Sequence, residues 1–183
     1  MIIITTQCFA PKIGGVESLM TGMAESMSSI GKDVLVLADG KTDLTEDKNK
    51  RYSIKRFEGW KPMRRRRKAQ YIEKICKEKD IEAIFADSWK SIEFLHKEDK
   101  KILVLAHGTE IPKQYRTLMI DKFRFKRNRI IKSYNNTHKI IANSHYTRDL
   151  MLASLKIDIK KIKIIHPGID VYNEFISNDE HEY

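Results

Sequence analysis

The chain has 183 residues, a formal net charge of +10, 41% hydrophobic residues and 33% charged ones. That length supports one domain with a proper core and is too short for two ordinary ones. No apolar run approaches the roughly 18–20 residues of a membrane span, and the opening residues lack a signal-peptide pattern, so the expected location is cytoplasmic.

Cys8 and Cys76 are the two cysteines. They are far apart and outside any zinc or redox spacing, so both read as buried thiols with no disulfide framework. The charge excess points to an anionic partner: nucleic acid, a phosphorylated substrate or an acidic membrane surface. Lysines scattered by an AT-rich codon bias would also produce part of it.

In chain order, β-rich runs at residues 2–6, 34–38, 53–57, 83–86, 102–106, 139–142 and 163–165 alternate with helical patterns at 16–30, 63–79, 89–96, 112–134 and 145–155. Most of the strand runs are continuously apolar, the mark of strands buried on both faces. The alternation predicts right-handed crossovers and a doubly wound parallel sheet, an α/β Rossmann-like fold in a single domain. Gly31 reads as the stop of the first helix, and residues 43–51 as an exposed polar loop. Residues 1–170 form the expected domain, with a polar tail over 171–183.

Ligands of such sheets bind beyond the carboxyl ends of the strands. The residues placed there are Phe9 to Gly15, Asp87-Ser88, His107-Gly108, Asn143-Ser144 and His166-Pro167-Gly168. Gly14 and Gly15 join a strand to a helix, which suits a phosphate: missing Cβ atoms admit backbone N–H groups, and the helix dipole favours negative charge. The G-x-G-x-x-G and P-loop patterns of dinucleotide and ATP sites are both absent. His107, beside Gly108, suits a donor or general base for a sugar hydroxyl or phosphate, although a structural hydrogen-bonding role is equally common there. His166 before Pro167 reads as structural. Asn143 and Ser144 read first as caps of the next helix.

Four landmarks in order resemble the retaining glycosyltransferases of family 4, which have the GT-B architecture. They are Phe9 to Glu17 with Gly31-Lys32-Asp33-Val34, then His107-Gly108, then Asn143 to Arg148, and finally Pro167-Gly168-Ile169-Asp170. Lys32 stands where the family usually has histidine. The resemblance implies the N-terminal, acceptor-side half of a two-domain enzyme. Gly14 and Gly15 would hold the donor diphosphate and His107 would be the catalytic residue facing the donor sugar. Glu17, Asp87, Glu110 and Asn143 would line the acceptor cleft, with Pro167, Gly168 and Asp170 at an interdomain hinge. The family's Glu-x7-Glu pair belongs to the second domain, and the same spacing at Glu17/Glu25 and Glu174/Glu182 is coincidental.

Two basic stretches remain, Arg64-Arg65-Arg66-Arg67-Lys68 and Lys122 to Arg129. A solvated helix face is the plain reading. Basic residues interleaved with aromatics suit a peripheral helix on anionic lipid, so Arg64 to Lys68 are the expected membrane contacts. Nucleic acid is disfavoured because no recognised binding motif accompanies the charge.

The expected function is sugar transfer from a nucleotide-sugar to a glycan or lipid-linked acceptor in surface polysaccharide assembly. A separate second domain or self-association would complete the enzyme, and no metal or cofactor is implied. The alternative is a non-catalytic acceptor-binding or membrane-docking module, or the remnant of a disrupted gene.

Overall fold

The computed structural model describes residues 1–41, 45–96, 101–112 and 120–168, the side chains of 120–124 excepted. Residues 113–119 of the expected fourth helix, Asp170 and the 171–183 tail lie outside the described residues. The strands are β1 (Ile2–Thr5), β2 (Val34–Asp39), β3 (Ser53–Phe57), β4 (Ala83–Ala86), β5 (Ile102–Ala106), β6 (Lys139–Ala142) and β7 (Ile162–Ile164). The helices are α1 (Gly15–Ser29), α2 (Thr45–Lys48), α3 (Lys61–Glu78), α4 (Trp89–Ile92), α5 (Ile120–Asn135) and α6 (His145–Leu155).

All neighbouring strands are parallel, in the order β3-β2-β1-β4-β5-β6-β7. Ile3 lies between Leu35 on one side and Ile84 on the other. The order runs outward from β1 in both directions, so right-handed crossovers divide the helices between faces. Met20 and Ala24 of α1 pack with Ile2, Ile4, Val34 and Val36 on one face. Residues of α3, α4, α5 and α6, such as Ile72, Ile92, Tyr134 and Met151, pack with Ile3, Leu37, Ile84, Val104 and Ile140 on the other. This is the predicted doubly wound sheet. Charged residues mark its edges, Lys55 on β3 and Lys163 on β7, both solvent-facing, as edge strands that avoid further pairing require.

Two local readings need correction. The segment read as a loop over 43–51 contains the single turn α2, where Glu46 and Asp47 open the turn and Lys48 closes it, matching the helix dipole. The expected helix over 89–96 stops at Ile92 and continues as a turn, closed by a hydrogen bond from Leu95 N to the Ile92 carbonyl, that drives Leu95 into the core. Gly31, at φ 81°, ends α1 as expected and donates its N–H to the Ser28 carbonyl. Cys8 and Cys76 are half-buried rather than buried, and neither is in a disulfide.

Ile84 has no exposed surface and lies at the centre of the larger core. Ile84→Ala should therefore cost about 2–5 kcal/mol of unfolding free energy through lost burial and a residual cavity. Ile13, 99% exposed, provides the control: Ile13→Ser should stay within about 0.5 kcal/mol of the parent. Chemical denaturation of both variants checks the pair, and a cost at Ile84 no larger than at Ile13 would contradict the packing described.

Candidate active site at the carboxyl edge

Strand order reverses between β1 and β4, and there the loop after β1 meets the turn after β4. Asp87 occupies the junction and is 2% exposed. Its Oδ2 accepts from Thr6 Oγ1 at 2.9 Å and from the Gln7 main-chain N–H at 2.7 Å. Its Oδ1 accepts from Ser91 Oγ at 2.6 Å and Ser88 Oγ at 3.2 Å. Asp87, expected at the acceptor cleft, is thus held among donors from both loops. This buried carboxylate ties the loop after β1 to the turn after β4.

The loop then runs through the cis Ala10-Pro11 bond to Gly14, the N-cap of α1. Gly14 has extended backbone, φ 170°, that any residue adopts. A Cβ there would come within 2.3 Å of Glu17 Oε2, so a side chain at this position would displace the Glu17 carboxylate. Gly15 differs, since a Cβ would meet nothing within 4 Å. Glu17 thus folds back across the start of α1 and bonds the Cys8 side chain. Burial first, then the charges of Asp87 and Glu17, push the Cys8 thiol up to about 11.

His107 follows β5. Its Nε2 lies 2.9 Å from the Asp87 carbonyl, an acceptor only, so Nε2 is the donor in this contact and Nδ1 is the second ring nitrogen. The His107 main-chain N–H donates to Glu110 Oε1 at 3.2 Å, and Tyr134 Oη, fully buried, donates to the same oxygen at 3.2 Å. Gly108 has φ 83°, and a Cβ would press within 2.9 Å of Thr147 Oγ1, so this turn demands glycine for both strain and space. Thr147 Oγ1 in turn donates to Asn143 Oδ1 at 2.6 Å, while Ser144 Oγ caps α6 by accepting from Thr147 N at 3.1 Å. Glu110 and Asn143 therefore brace the His107 turn from two sides. Pro167 and Gly168 are exposed beyond β7, and His166 stands 6.0 Å from the His145 ring.

The basic run of α3, expected to contact membrane, divides between the buried and the exposed side of the helix. Lys68 is fully buried: its Nζ donates to the Thr6 carbonyl at 2.7 Å and lies 2.6 Å from Asp39 Oδ1. Arg64 pairs with Asp39 at 2.9 Å, and Arg65 with Glu93 at 3.2 Å. Arg66 and Arg67 remain exposed, Arg66 lying over the Phe94 ring and Arg67 reaching the Glu58 carbonyl. Arg56 of β3 and Tyr134 of α5 were not singled out in the sequence, yet both brace the site loops. No group of His, Cys, Asp and Glu among the described residues is arranged to hold a metal ion. No described helix is long and apolar enough to cross a membrane.

The raised Cys8 thiol has a direct consequence. Alkylation of Cys8 by iodoacetamide, followed by peptide mass spectrometry, should rise with an apparent pKa near 11 in the folded chain and near 9 after unfolding. A folded value near 9 would mean that the thiol is neither buried nor flanked by Asp87 and Glu17.

The family model for Glycosyltransferase Family 4 matches residues 13–172. The fold is similar to that of a glycosyltransferase from Rickettsia africae ESF-5, with a TM-score of 0.61 and 18% identity, over 92% of this chain and 43% of that one. It is similar to Anabaena Alr3699/HepE, solved with UDP and glucose, with a TM-score of 0.60 and 15% identity, over 92% and 45%. WaaG, a glycosyltransferase involved in lipopolysaccharide biosynthesis, gives a TM-score of 0.61 at 11% identity, over 93% and 46%. The chain thus spans less than half the length of these structures. No protein of curated function matches it. With most of its length inside the family model and a Rossmann-like sheet shared with GT-B enzymes, the chain belongs to Glycosyltransferase Family 4.

Proposed function

We propose that these 183 residues form the acceptor-side half of an enzyme that transfers a sugar from a nucleotide-sugar donor to a glycan or lipid-linked acceptor. The observation that carries the reading is the glycine turn: Gly14 and Gly15 open the 15-residue helix α1 at the same sheet edge as the His107 turn. Unsatisfied N–H groups at a long helix start, with no Cβ beside them, suit a diphosphate. His107, with Nε2 donating to the Asp87 carbonyl, offers Nδ1 toward a sugar hydroxyl. The solved HepE complex with UDP and glucose and the lipopolysaccharide role of WaaG support this substrate class. The second side of the cleft comes from a further domain, because one side alone offers too few contacts to offset the ligand's lost freedom.

Gly15 tests the reading cleanly. Its backbone is not in the left-handed region and its Cβ position is empty, so the fold tolerates a side chain there. Gly15→Val, placed in a two-domain protein that contains this chain, should keep the thermal midpoint while sugar transfer falls at least about tenfold, equivalent to ~1.4 kcal/mol of barrier. A variant with parental midpoint and parental rate removes Gly15 from the site.

Peripheral membrane contact belongs to the same proposal, with its residues revised. Trp60, 72% exposed, and Met63, 49% exposed, stand beside exposed Lys61, Arg66 and Arg67 at the start of α3. An apolar pair ringed by cations suits an anionic lipid interface. Trp60→Ser should weaken sedimentation with phosphatidylglycerol vesicles several-fold at constant salt. Equal binding by parent and variant would exclude this surface.

A further inference from the structure

Two buried cations lie outside the crevice, and each ends on a main-chain carbonyl of the loop leading to Gly14. Lys68 Nζ donates to the Thr6 carbonyl at 2.7 Å, backed by Asp39 at 2.6 Å. Arg56 Nη2 donates to the Ala10 carbonyl at 2.6 Å, and its Nε and Nη2 hold Asp47 at 2.6 and 2.7 Å. The Lys68 side chain is 0% exposed and that of Arg56 is 4% exposed.

A carbonyl needs no charge to be satisfied; a hydroxyl or amide would serve. A buried ammonium is costly, and burial lowers the Lys68 pKa even though Asp39 and Asp87 pull it back up. What a charged donor adds is a shorter, stiffer bond.

The geometry uses that stiffness at one peptide plane. The Thr6 carbonyl and the Gln7 N–H belong to the same rigid unit. Lys68 holds its oxygen while Asp87 Oδ2 holds its N–H at 2.7 Å. The Asp87 carbonyl then holds His107 Nε2 at 2.9 Å. Four residues further on, Arg56 fixes the last carbonyl before the exposed tip Pro11-Lys12-Ile13. The stem of the loop is therefore clamped at both ends, and the tip departs from fixed points toward Gly14 and Gly15.

We propose that Lys68 and Arg56 are positioning residues, whose charges hold the Thr6–Ala10 stem so that the N–H groups at Gly14 and Gly15 are set in advance for an anionic ligand. The loop ordering stands on the geometry alone; its use in capturing a diphosphate rests on the proposed function. Pre-set donors bind without an ordering cost on association. A merely structural role would loosen the sheet as well as the loop.

The test uses the 183-residue chain with Lys68→Met and Arg56→Met. Lys68→Met leaves Asp39 its second partner, Arg64 at 2.9 Å, so no buried carboxylate is stranded. Amide hydrogen exchange by NMR should accelerate at least tenfold at Gln7, Cys8 and Phe9, with β2 and β4 amides unchanged. Inorganic pyrophosphate serves as the probe: in the parent it should shift the Gly15 and Val16 amide signals, and each variant should need at least tenfold more to do so. Unchanged loop exchange, or equal acceleration in loop and strands, overturns the proposal. If Lys68→Met does not fold, Arg56→Met decides the matter by the same criteria. A parent whose Gly15 signal ignores pyrophosphate sinks the diphosphate reading, while the exchange comparison still decides whether the two cations order the loop.

Discussion

A carboxylate shut inside a protein must find a donor for each of its acceptor positions, and Asp87 finds them on separate pieces of chain. Thr6 and Gln7 come from the end of β1, Ser88 and Ser91 from the start of α4, and the same residue's carbonyl receives His107 from the end of β5. Three crossover units of the sheet are thereby tied at their carboxyl ends. Breaking this node would leave a buried charge with fewer donors than it needs, a larger loss than any one of its bonds is worth. Because the node lies where strand order reverses, the tie fixes the crevice walls that the sheet topology leaves open.

The sheet itself was legible in the sequence because its physics is local. Runs such as Ile2-Ile3-Ile4 and Ile102-Leu103-Val104-Leu105 have no polar face, so they can only be strands covered on both sides. The Gly31 stop, the Ser144 cap and the position of the His107-Gly108 turn are likewise matters of a few neighbouring residues. Asp87 was found, but its partners were not. Its position after β4 is evident from the sequence, yet its donors at Thr6 and Gln7 lie about 80 residues away, and no local pattern marks them.

Lys68 is more instructive, since a signal was present. It stands four and seven residues before Ile72 and Ile75, on the buried stripe of α3 with them. Helical periodicity places it inside, whereas the run of five basic residues suggested one outward face. The run is divided by geometry: Arg64 and Arg65 turn toward acidic partners, Arg66 and Arg67 stay outside, and Lys68 enters the core. A cluster of like charges on a helix therefore cannot share one role, because consecutive residues point about 100° apart. Arg56 had no such signal; it follows Lys55 on an edge strand and alternation alone assigns neither.

Parallel winding has one further consequence. Every helix that follows a strand here begins at the carboxyl edge, so the partly positive starts of α1, α3, α5 and α6 all gather on the side where His107 and the glycine turn lie. The net charge of +10 belongs to the whole chain, whereas these helix starts act locally, within about one turn of the edge. An anion that reaches this edge meets several helix starts at once rather than one. Its attraction to the chain's net positive charge should weaken as ionic strength shortens the Debye length.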